Sequence, residues 1–327
     1  MNAETTAIVV RPVADPAILE PLASRARDYI EAAHAPNTRR AYHSDWKHFT
    51  AWCAGHGLQA LPAAAETVAM YLSDLAETHK PATIGRKLVT IGQAHKADGH
   101  ESPTEAAPVR AVWKGIRRVF GTAPDQKAAA VTEDIRAMVA TLDESPMGRR
   151  DRALLLVGFA GALRRSELVA LDRADVLITR EGVTLSIRHS KTDQEGEGAK
   201  VAILNGRNPE TCPVKALAVW LRTLKAHGHE GGAVFRPVDR HGNIGDGRLS
   251  GYAVALIVKR TATAAGLDPD TYAGHSLRSG FITSAARNQV SERLIMRQSR
   301  HKSERVMRGY IRDAGLFQEN ASASVGL

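Results

Sequence analysis

Apolar residues recur at helical spacing through the first third of the chain. In the segment TRRAYHSDWKHFTAWCAGHG, Tyr42, Trp46, Phe49 and Cys53 lie three or four positions apart and therefore share one helix face. The same period predicts helices in PLASRARDYIEAA, AAETVAMYLSDLAETH, PATIGRKLVTIGQAHKADG and VRAVWKGIRRVF. Residues 21–120 are thus predicted to form a helical bundle.

The last of these helices has two distinct faces. Its apolar face carries Trp113, Ile116 and Phe120. Its other face is basic and carries Lys114, Arg117 and Arg118. A basic helix face is a candidate contact for backbone phosphates, although an ordinary solvent-exposed cationic face explains the pattern equally well.

The pattern changes in the second half of the chain. Residues 121–132 mix glycine, proline, charged and small residues, which predicts a linker. After two more helical segments, Val183, Leu185 and Ile187 alternate with polar residues, which is the period of a strand. We predict a small three-stranded antiparallel sheet and further helices after it. The expected fold is mainly α with a small antiparallel β-sheet.

Length agrees with a division into domains. A chain of 327 residues is long for a single core. We therefore predict a flexible leader at 1–20, a helical domain at 21–120, an α+β domain at 133–315 and a tail at 316–327.

Cysteine content and apolar runs restrict the compartment. Cys53 and Cys212 form neither a disulfide framework nor a CxxC metal spacing. The amino terminus lacks the cationic start of a signal peptide, and no apolar run approaches the roughly 20 residues of a membrane span. We expect a soluble, intracellular protein.

Positive charge is concentrated late in the chain. Residues 271–312 contain nine lysines and arginines against two acidic residues, whereas residues 1–120 contain fourteen against twelve. Such a local excess is typical of a surface that faces a polyanion, and a merely solvated basic face is the competing interpretation.

Two late motifs contain histidine. HSLRSGF places His275 and Arg278 three positions apart at a predicted helix start, so that both side chains project from nearly the same side. RHKSERVMRGYIRD holds His301 and Tyr310, which are nine positions apart. If both belonged to one continuous helix, they would lie on its opposite faces. Because Ser303 is a favourable N-cap, His301 is predicted to precede that helix. Each motif alone also fits an ordinary helix start or packing position.

An earlier motif places charge among apolar residues. GALRRSELVA, residues 161–170, carries Arg164 and Arg165 with Glu167 close behind. Guanidinium groups bind phosphate oxygens in bidentate fashion and stay charged at physiological pH. Arg164 and Arg278 together therefore suggest that a phosphate is their common ligand.

Taken in order, these motifs resemble the tyrosine recombinase, or phage integrase, family. GALRRSELVAL resembles its first arginine motif, SKTDQEGEG its lysine-bearing β-hairpin loop, GHSLRSGF its H-x-x-R box and RHKSERVMRGYIRD its final motif. The likeness extends over nearly the whole chain from about residue 20. It implies the catalytic set Arg164, Lys191, His275, Arg278, His301 and the nucleophile Tyr310, supported by Glu167.

The family also implies a helical core-binding domain and a DNA breaking-rejoining domain that clamp duplex DNA. The predicted DNA contacts outside the catalytic set are Arg86, Lys87, Lys114, Arg117, Arg118, Arg293, Arg297 and Arg300. The last three recur at i, i+4 and i+7 on a predicted helix face. Two departures from the pattern stand out: the usual leucine-glycine before the second histidine is Ser299-Arg300, and Arg165 makes the position of the first arginine ambiguous by one.

The resemblance implies a mechanism without ATP, metal or cofactor. Tyr310 would attack a backbone phosphate and form a 3′-phosphotyrosyl bond, which conserves the ester for religation. His275 would accept the phenol proton, the two arginines and His301 would stabilise the phosphoryl oxygens, and Lys191 would protonate the leaving oxygen.

The expected function is site-specific recombination in the bacterial cytoplasm, with a tetramer assembled on double-stranded DNA that carries inverted repeats. Residues after Tyr310, including Leu316 and Phe317, would dock on a neighbouring protomer, although intramolecular packing or a frayed end explains them as well. The alternatives are a type IB topoisomerase-like relaxing enzyme and a non-catalytic DNA-binding regulator of the same fold.

Overall fold

A computed structural model describes the chain in two compact units, Met1–Asp125 and Gln126–Leu327. The described residues are 19–22, 24–25, 29, 35–123, 127–188, 198–301 and 309. The predicted leader up to residue 18, Lys191, Tyr310 and the predicted tail lie outside them. Within the described ranges, no helix combines the length and the apolar character needed to cross a bilayer.

The first unit is helical, as predicted. Its elements are α1 (Pro36–Gly55), α2 (Ala65–Ala76), α3 (Pro81–Ala97), a 3₁₀ turn (Pro103–Glu105) and α4 (Ala107–Phe120). Helix α1 packs on α3, and α2 packs on α4. Phe49 and Cys53 are fully buried, together with Tyr71 of α2 and Ile84 of α3. Burial of these side chains confirms the predicted apolar face of α1.

Two predictions for this unit need correction. Lys87 follows Ile84 by one helical turn and points into the core, where its side chain is 6 % exposed and its Nζ lies 3.5 Å from Asp45 Oδ1. A buried ammonium requires such a partner, and in this position it does not reach a DNA phosphate. Phe120, predicted to be apolar-facing, is 56 % exposed because it is the last residue of α4.

In the second unit, several helices pack around one buried helix. Its helices are α5 (Thr132–Ala140), α6 (Pro146–Ala160), α7 (Arg165–Ala170), α8 (Pro213–Ala226), α9 (Gly251–Ala264), α10 (Ser276–Arg287) and α11 (Glu292–Ser299), with 3₁₀ turns at Arg173–Asp175, Pro209–Thr211 and Pro269–Thr271. Helix α6 is buried through 153–157 and packs against α5, α8 and α10. These contacts place the ends of α6, α10 and α11 close together.

A three-stranded antiparallel sheet completes the unit, as the alternation predicted. The strands are β1 (Val176–Ile178), β2 (Gly182–Ile187) and β3 (Ala199–Leu204), in the order β1-β2-β3. Leu185 pairs with Val201, and Val183 pairs with Ile203. All four side chains are buried in the core of the second unit. The mainly α fold with a small antiparallel sheet is therefore confirmed.

Close packing at two glycines sets the position of α10. A Cβ added to Gly280 would lie 1.8 Å from the carbonyl oxygen of Ala130, and one added to Gly158 of α6 would lie 2.8 Å from Leu277 Cδ1. A side chain at Gly280 would overlap the Ala130 backbone, and one at Gly158 would have to displace the Leu277 side chain. The two glycines therefore allow α10, which carries Arg278, to approach α6 and the segment before α5.

Candidate functional site

The first arginine motif forms the turn between α6 and α7. After α6 ends, Ala162 adopts a left-handed conformation with φ of 45°, and Arg164 is the N-cap of α7. Glu167 Oε2 accepts a hydrogen bond from the Arg164 backbone N–H at 2.8 Å, and Oε1 accepts one from Arg164 Nη1 at 2.6 Å. One carboxylate thus holds both the backbone and the side chain of Arg164.

The two adjacent arginines point in different directions. The side chain of Arg164 is 15 % exposed. Arg165 is exposed and lies against Gly251 and Gly274, with its Cδ 2.8 Å from where a Gly274 Cβ would be. Arg164, and not Arg165, therefore contacts the other residues of the predicted site.

Helix α10 supplies the second arginine. Arg278 is 1 % exposed, and its Nη1 donates a 2.7 Å hydrogen bond to the carbonyl of Ala162. His275 is the N-cap of α10 and is exposed. The strained turn at Ala162 therefore aims a backbone carbonyl at Arg278 and connects the two arginine motifs.

His301 follows α11 and lies beside Arg278. Arg278 Nη2 is 3.3 Å from the His301 ring nitrogens. Ser299 Oγ donates to the Ile295 carbonyl at 2.7 Å and contacts His301 Nδ1 at 2.8 Å. Because the hydroxyl has only one proton, Nδ1 is the donor to Ser299, and Nε2 of the neutral ring is left as an acceptor.

The surroundings of His301 disfavour its charged form. Burial, together with the nearby charges of Arg278 and Arg164, lowers the pKa of His301 to about 4. The imidazole is therefore neutral at physiological pH in the unliganded site. A bound anion would oppose the arginine charges and favour a second ring proton.

The structure adds Arg300 to this site. Arg300 Nη2 lies 2.5 Å from Glu167 Oε2, and Nη1 donates to the Gln298 carbonyl at 3.1 Å. Its side chain is 13 % exposed. The predicted stripe of Arg293, Arg297 and Arg300 is corrected here, because α11 ends at Ser299 and Arg300 turns inward with φ of 57°. The departure from leucine-glycine was the only sequence signal for this role.

Glu167 is ionised in spite of its burial. Burial raises the pKa of the carboxyl, but the charge of Arg300 and the hydrogen bonds from Arg164 outweigh that effect, so that the net pKa lies below its usual value. Its side chain has no exposed surface. The carboxylate therefore forms ion pairs with the two arginines and is not accessible to a substrate.

Ion pairs hold the end of β2, the strand that precedes the predicted Lys191 hairpin loop. Arg188, at the end of β2, pairs with Asp175 at 2.6 Å and also with Asp172. Gln298 of α11 donates to the carbonyls of Ala160 and Ala202, at 2.9 and 3.0 Å. These contacts join α11, the end of α6 and β3 next to His301.

The other predicted DNA contacts differ in exposure. Arg86 is 42 % exposed and pairs with Asp45 at 3.1 Å. The remaining ones are exposed on the surfaces of their helices: Lys114, Arg117, Arg118, Arg293 and Arg297. Exposure leaves these five basic residues available to a polyanion.

The site is suited to bind an anion with several oxygens. Arg164 and Arg300 pair with Glu167, Arg278 contacts His301, and Glu167 neutralises only one of the three positive charges. Such donors stabilise phosphoryl oxygens. Among the described residues, no three His, Cys, Asp or Glu side chains gather as a metal-ligand group.

Comparisons with known proteins indicate the family to which the chain is related. The phage integrase family matches residues 131–315. The "Integrase/recombinase xerD homolog" of Selenomonas ruminantium is 41% identical over 306 residues, which cover 92% of this chain and 89% of that protein. Tyrosine recombinase XerD of Pseudomonas aeruginosa is 30% identical over 172 residues, covering 50% of this chain and 54% of the relative.

Solved structures share the fold. A lambda integrase dimer bound to a COC′ core site has a TM-score of 0.61 at 17% identity, covering 92% of this chain and 79% of that one. XerH bound to a palindromic difH substrate, in a post-cleavage complex, has a TM-score of 0.60 at 16% identity, covering 80% and 72%. At these identities the likeness supports the fold.

Proposed function

This chain belongs to the phage integrase family, and on that premise we propose that it is a site-specific DNA recombinase that cuts and rejoins strands through a 3′-phosphotyrosyl intermediate. One observation carries the proposal. Arg164 and Arg278, from motifs 114 positions apart in the sequence, are linked through the Ala162 turn, and His301 lies beside Arg278.

The described residues have definite parts in the proposed reaction. Arg164 and Arg278 bind the non-bridging oxygens of the scissile phosphate and stabilise the charge that develops on them. Their donors are already oriented by Glu167 and Ala162, so little reorganisation accompanies attack. His301 gains a proton as the phosphate binds and then donates a hydrogen bond from Nε2.

Three roles rest more on the resemblance than on contacts. Tyr310 is the proposed nucleophile and Lys191 the proposed acid for the leaving oxygen, and both lie outside the described residues. His275, at the exposed start of α10, is the proposed acceptor of the phenol proton. In this scheme 133–315 is the catalytic domain and 21–120 the core-binding domain.

The proposed substrate is double-stranded DNA with an inverted-repeat recombination site, bound by a tetramer in the bacterial cytoplasm. Two similar structures support DNA as the partner, because their titles describe lambda integrase on a core site and XerH on difH. A third describes a lambda integrase tetramer on a Holliday junction, with a TM-score of 0.53. Docking of the tail at 316–327 on a neighbouring protomer stays a prediction.

Covalent trapping tests the proposal. Inverted repeats beside the gene for this chain would be built into nicked suicide substrates and incubated with the protein. We expect an adduct that resists denaturant and is lost in Tyr310→Phe, because only the phenol oxygen can become the ester. Tyr252→Phe, which removes the hydroxyl of an exposed tyrosine in the same unit, is the matched control and should keep the adduct.

The outcomes separate the competing functions. An adduct that survives Tyr310→Phe would move the nucleophile elsewhere, and binding without any adduct would favour a non-catalytic regulator. Exchange of strands between two sites identifies a recombinase, whereas relaxation of supercoils without exchange identifies a topoisomerase. Adduct formation in EDTA is expected to equal that in its absence, since arginines and lysine supply the positive charge.

A further inference from the structure

Residue 300 has a backbone conformation that suits glycine. Its φ of 57° and ψ of 41° lie in the left-handed region, where a Cβ crowds the neighbouring carbonyl. Arginine nevertheless occupies this position, immediately before His301. The backbone therefore gives no reason for arginine, and any reason must come from the side chain.

The side chain of Arg300 has well-defined polar contacts in the interior. It pairs with Glu167 Oε2 at 2.5 Å and with the Gln298 carbonyl at 3.1 Å. Its Nε is buried and has no hydrogen-bond partner among the described residues. Burial lowers the pKa of the guanidinium, but an arginine stays protonated at physiological pH, so a full positive charge is present beside the site.

Arg300 also changes the local charge. Arg164 and Glu167 form a neutral pair, in which the carboxylate competes with a phosphate for the same guanidinium. A second cation on Oε2 holds the carboxylate in place beside Arg164 and gives the three groups a net charge of +1. Because charge on a phosphoryl group grows toward its transition state, the extra charge favours the transition state over the bound substrate.

We propose that Arg300 is a positioning residue for strand cleavage: it holds Glu167, and through Glu167 it orients Arg164 toward the scissile phosphate. The inference rests on the proposed function. It assigns a role to the departure from leucine-glycine, which the family pattern alone would present as a loss. Ser299, the other half of the departure, holds His301 through the contact at 2.8 Å.

The experiment compares three substitutions at one position in the full chain. Arg300→Gln keeps most of the side-chain volume and removes the charge, and Arg300→Lys restores a cation. Arg300→Gly removes the guanidinium but relaxes the left-handed backbone, which offsets part of the stability lost with the ion pair. Arg180→Gln is the charge-matched control, because Arg180 is exposed in the turn between β1 and β2, at the end of the sheet opposite Ile187 and Ala199.

Single-turnover cleavage of the suicide substrate at saturating DNA is the main readout, beside the Kd for the same DNA and the melting temperature. We expect Arg300→Gln and Arg300→Gly to slow cleavage roughly tenfold or more, with a Kd within about threefold of the parent. Arg300→Lys should recover part of the rate. Combined with Glu167→Gln, Arg300→Gln should add less than a twofold further loss, since both changes break one interaction.

Each contrary result has a definite meaning. Cleavage by Arg300→Gln or Arg300→Gly at the rate of Arg180→Gln would overturn the proposal and leave the recombinase function intact. A full additional loss in the Glu167→Gln background would show that Arg300 does not act through Glu167, and would also overturn it. No adduct from the unaltered protein would overturn the proposed function itself, and this proposal with it.

Discussion

At the scale of single residues, the site depends on contacts between residues that lie far apart in the sequence. Arg278 contacts both the Ala162 carbonyl and the His301 ring. Lys87 pairs with Asp45, which lies 42 positions earlier on another helix, so local spacing does not show that Lys87 is buried. The contact of Arg300 with Glu167 spans 133 positions and was likewise beyond local spacing.

Protonation of His301 gives a prediction at this scale. In the unliganded protein the ring should titrate well below its ordinary value of about 6.5, toward about 4, because burial and the arginines disfavour the imidazolium. The unfolded chain then binds the proton more readily than the folded one as pH falls below about 6.5. Folding stability from this group is therefore lost progressively between about pH 6.5 and pH 4.

NMR titration of histidine ring signals, with His301→Gln to assign the resonance, provides the measurement. Saturating site DNA should raise the midpoint, because a phosphate beside the ring favours its charged form. A midpoint at or above 6.5 in the free protein would contradict the burial described here.

At the scale of elements, apolar periodicity predicted the helices and the sheet, because burial of one face is a local property of the pattern. It failed at helix ends. Phe120 continues the apolar period of α4 but is the final residue of that helix, and Arg300 continues the basic period of α11 beyond its last turn. A period alone does not show where a helix stops.

Packing of α10 gives the prediction at this scale. Gly280→Ala should lower the free energy of unfolding by about 3 kcal/mol, because the new methyl group would overlap the backbone of Ala130. Gly115→Ala is the matched control on α4, where no atom lies within 4 Å of an added Cβ. That change should raise stability by up to about 1 kcal/mol.

Urea unfolding of the full chain, followed by circular dichroism, measures both changes. Equal behaviour of the two variants would show that the Ala130 segment moves away from α10 at little cost. Such a result would also weaken the claim that this contact positions Arg278.

At the scale of the whole molecule, the charge distribution predicted a surface that faces a polyanion, but it could not show which basic residues make the contacts. The net charge of +9 includes residues such as Lys87 and Arg300 that are occupied by internal ion pairs. Exposed bases on α4 and α11 remain as candidates for the polyanion. The two units were predictable from length, whereas the domain bounds and the assembly on DNA stay predictions.

Salt dependence tests the basic face of α4 in the intact protein. Replacing Lys114, Arg117 and Arg118 with glutamine should reduce the slope of log K against log salt by about 2 to 3, since each phosphate contact contributes about 0.9. The same change at Arg180, Arg207 and Lys225, which are exposed on the other unit, should leave the slope unaltered. Fluorescence anisotropy with labelled DNA at several salt concentrations gives both slopes, and equal slopes would remove α4 from the interface.

The hydrogen bonds of Gln298 determine which neighbouring positions can be substituted during evolution. Its amide donates hydrogen bonds to two main-chain oxygens, those of Ala160 and Ala202, and these bonds do not depend on the side chain of either residue. The side chains at these two positions can therefore change while His301, three positions after Gln298, stays in place. A substitution that removes the Gln298 amide, by contrast, would break the hydrogen bonds to Ala160 and Ala202 together.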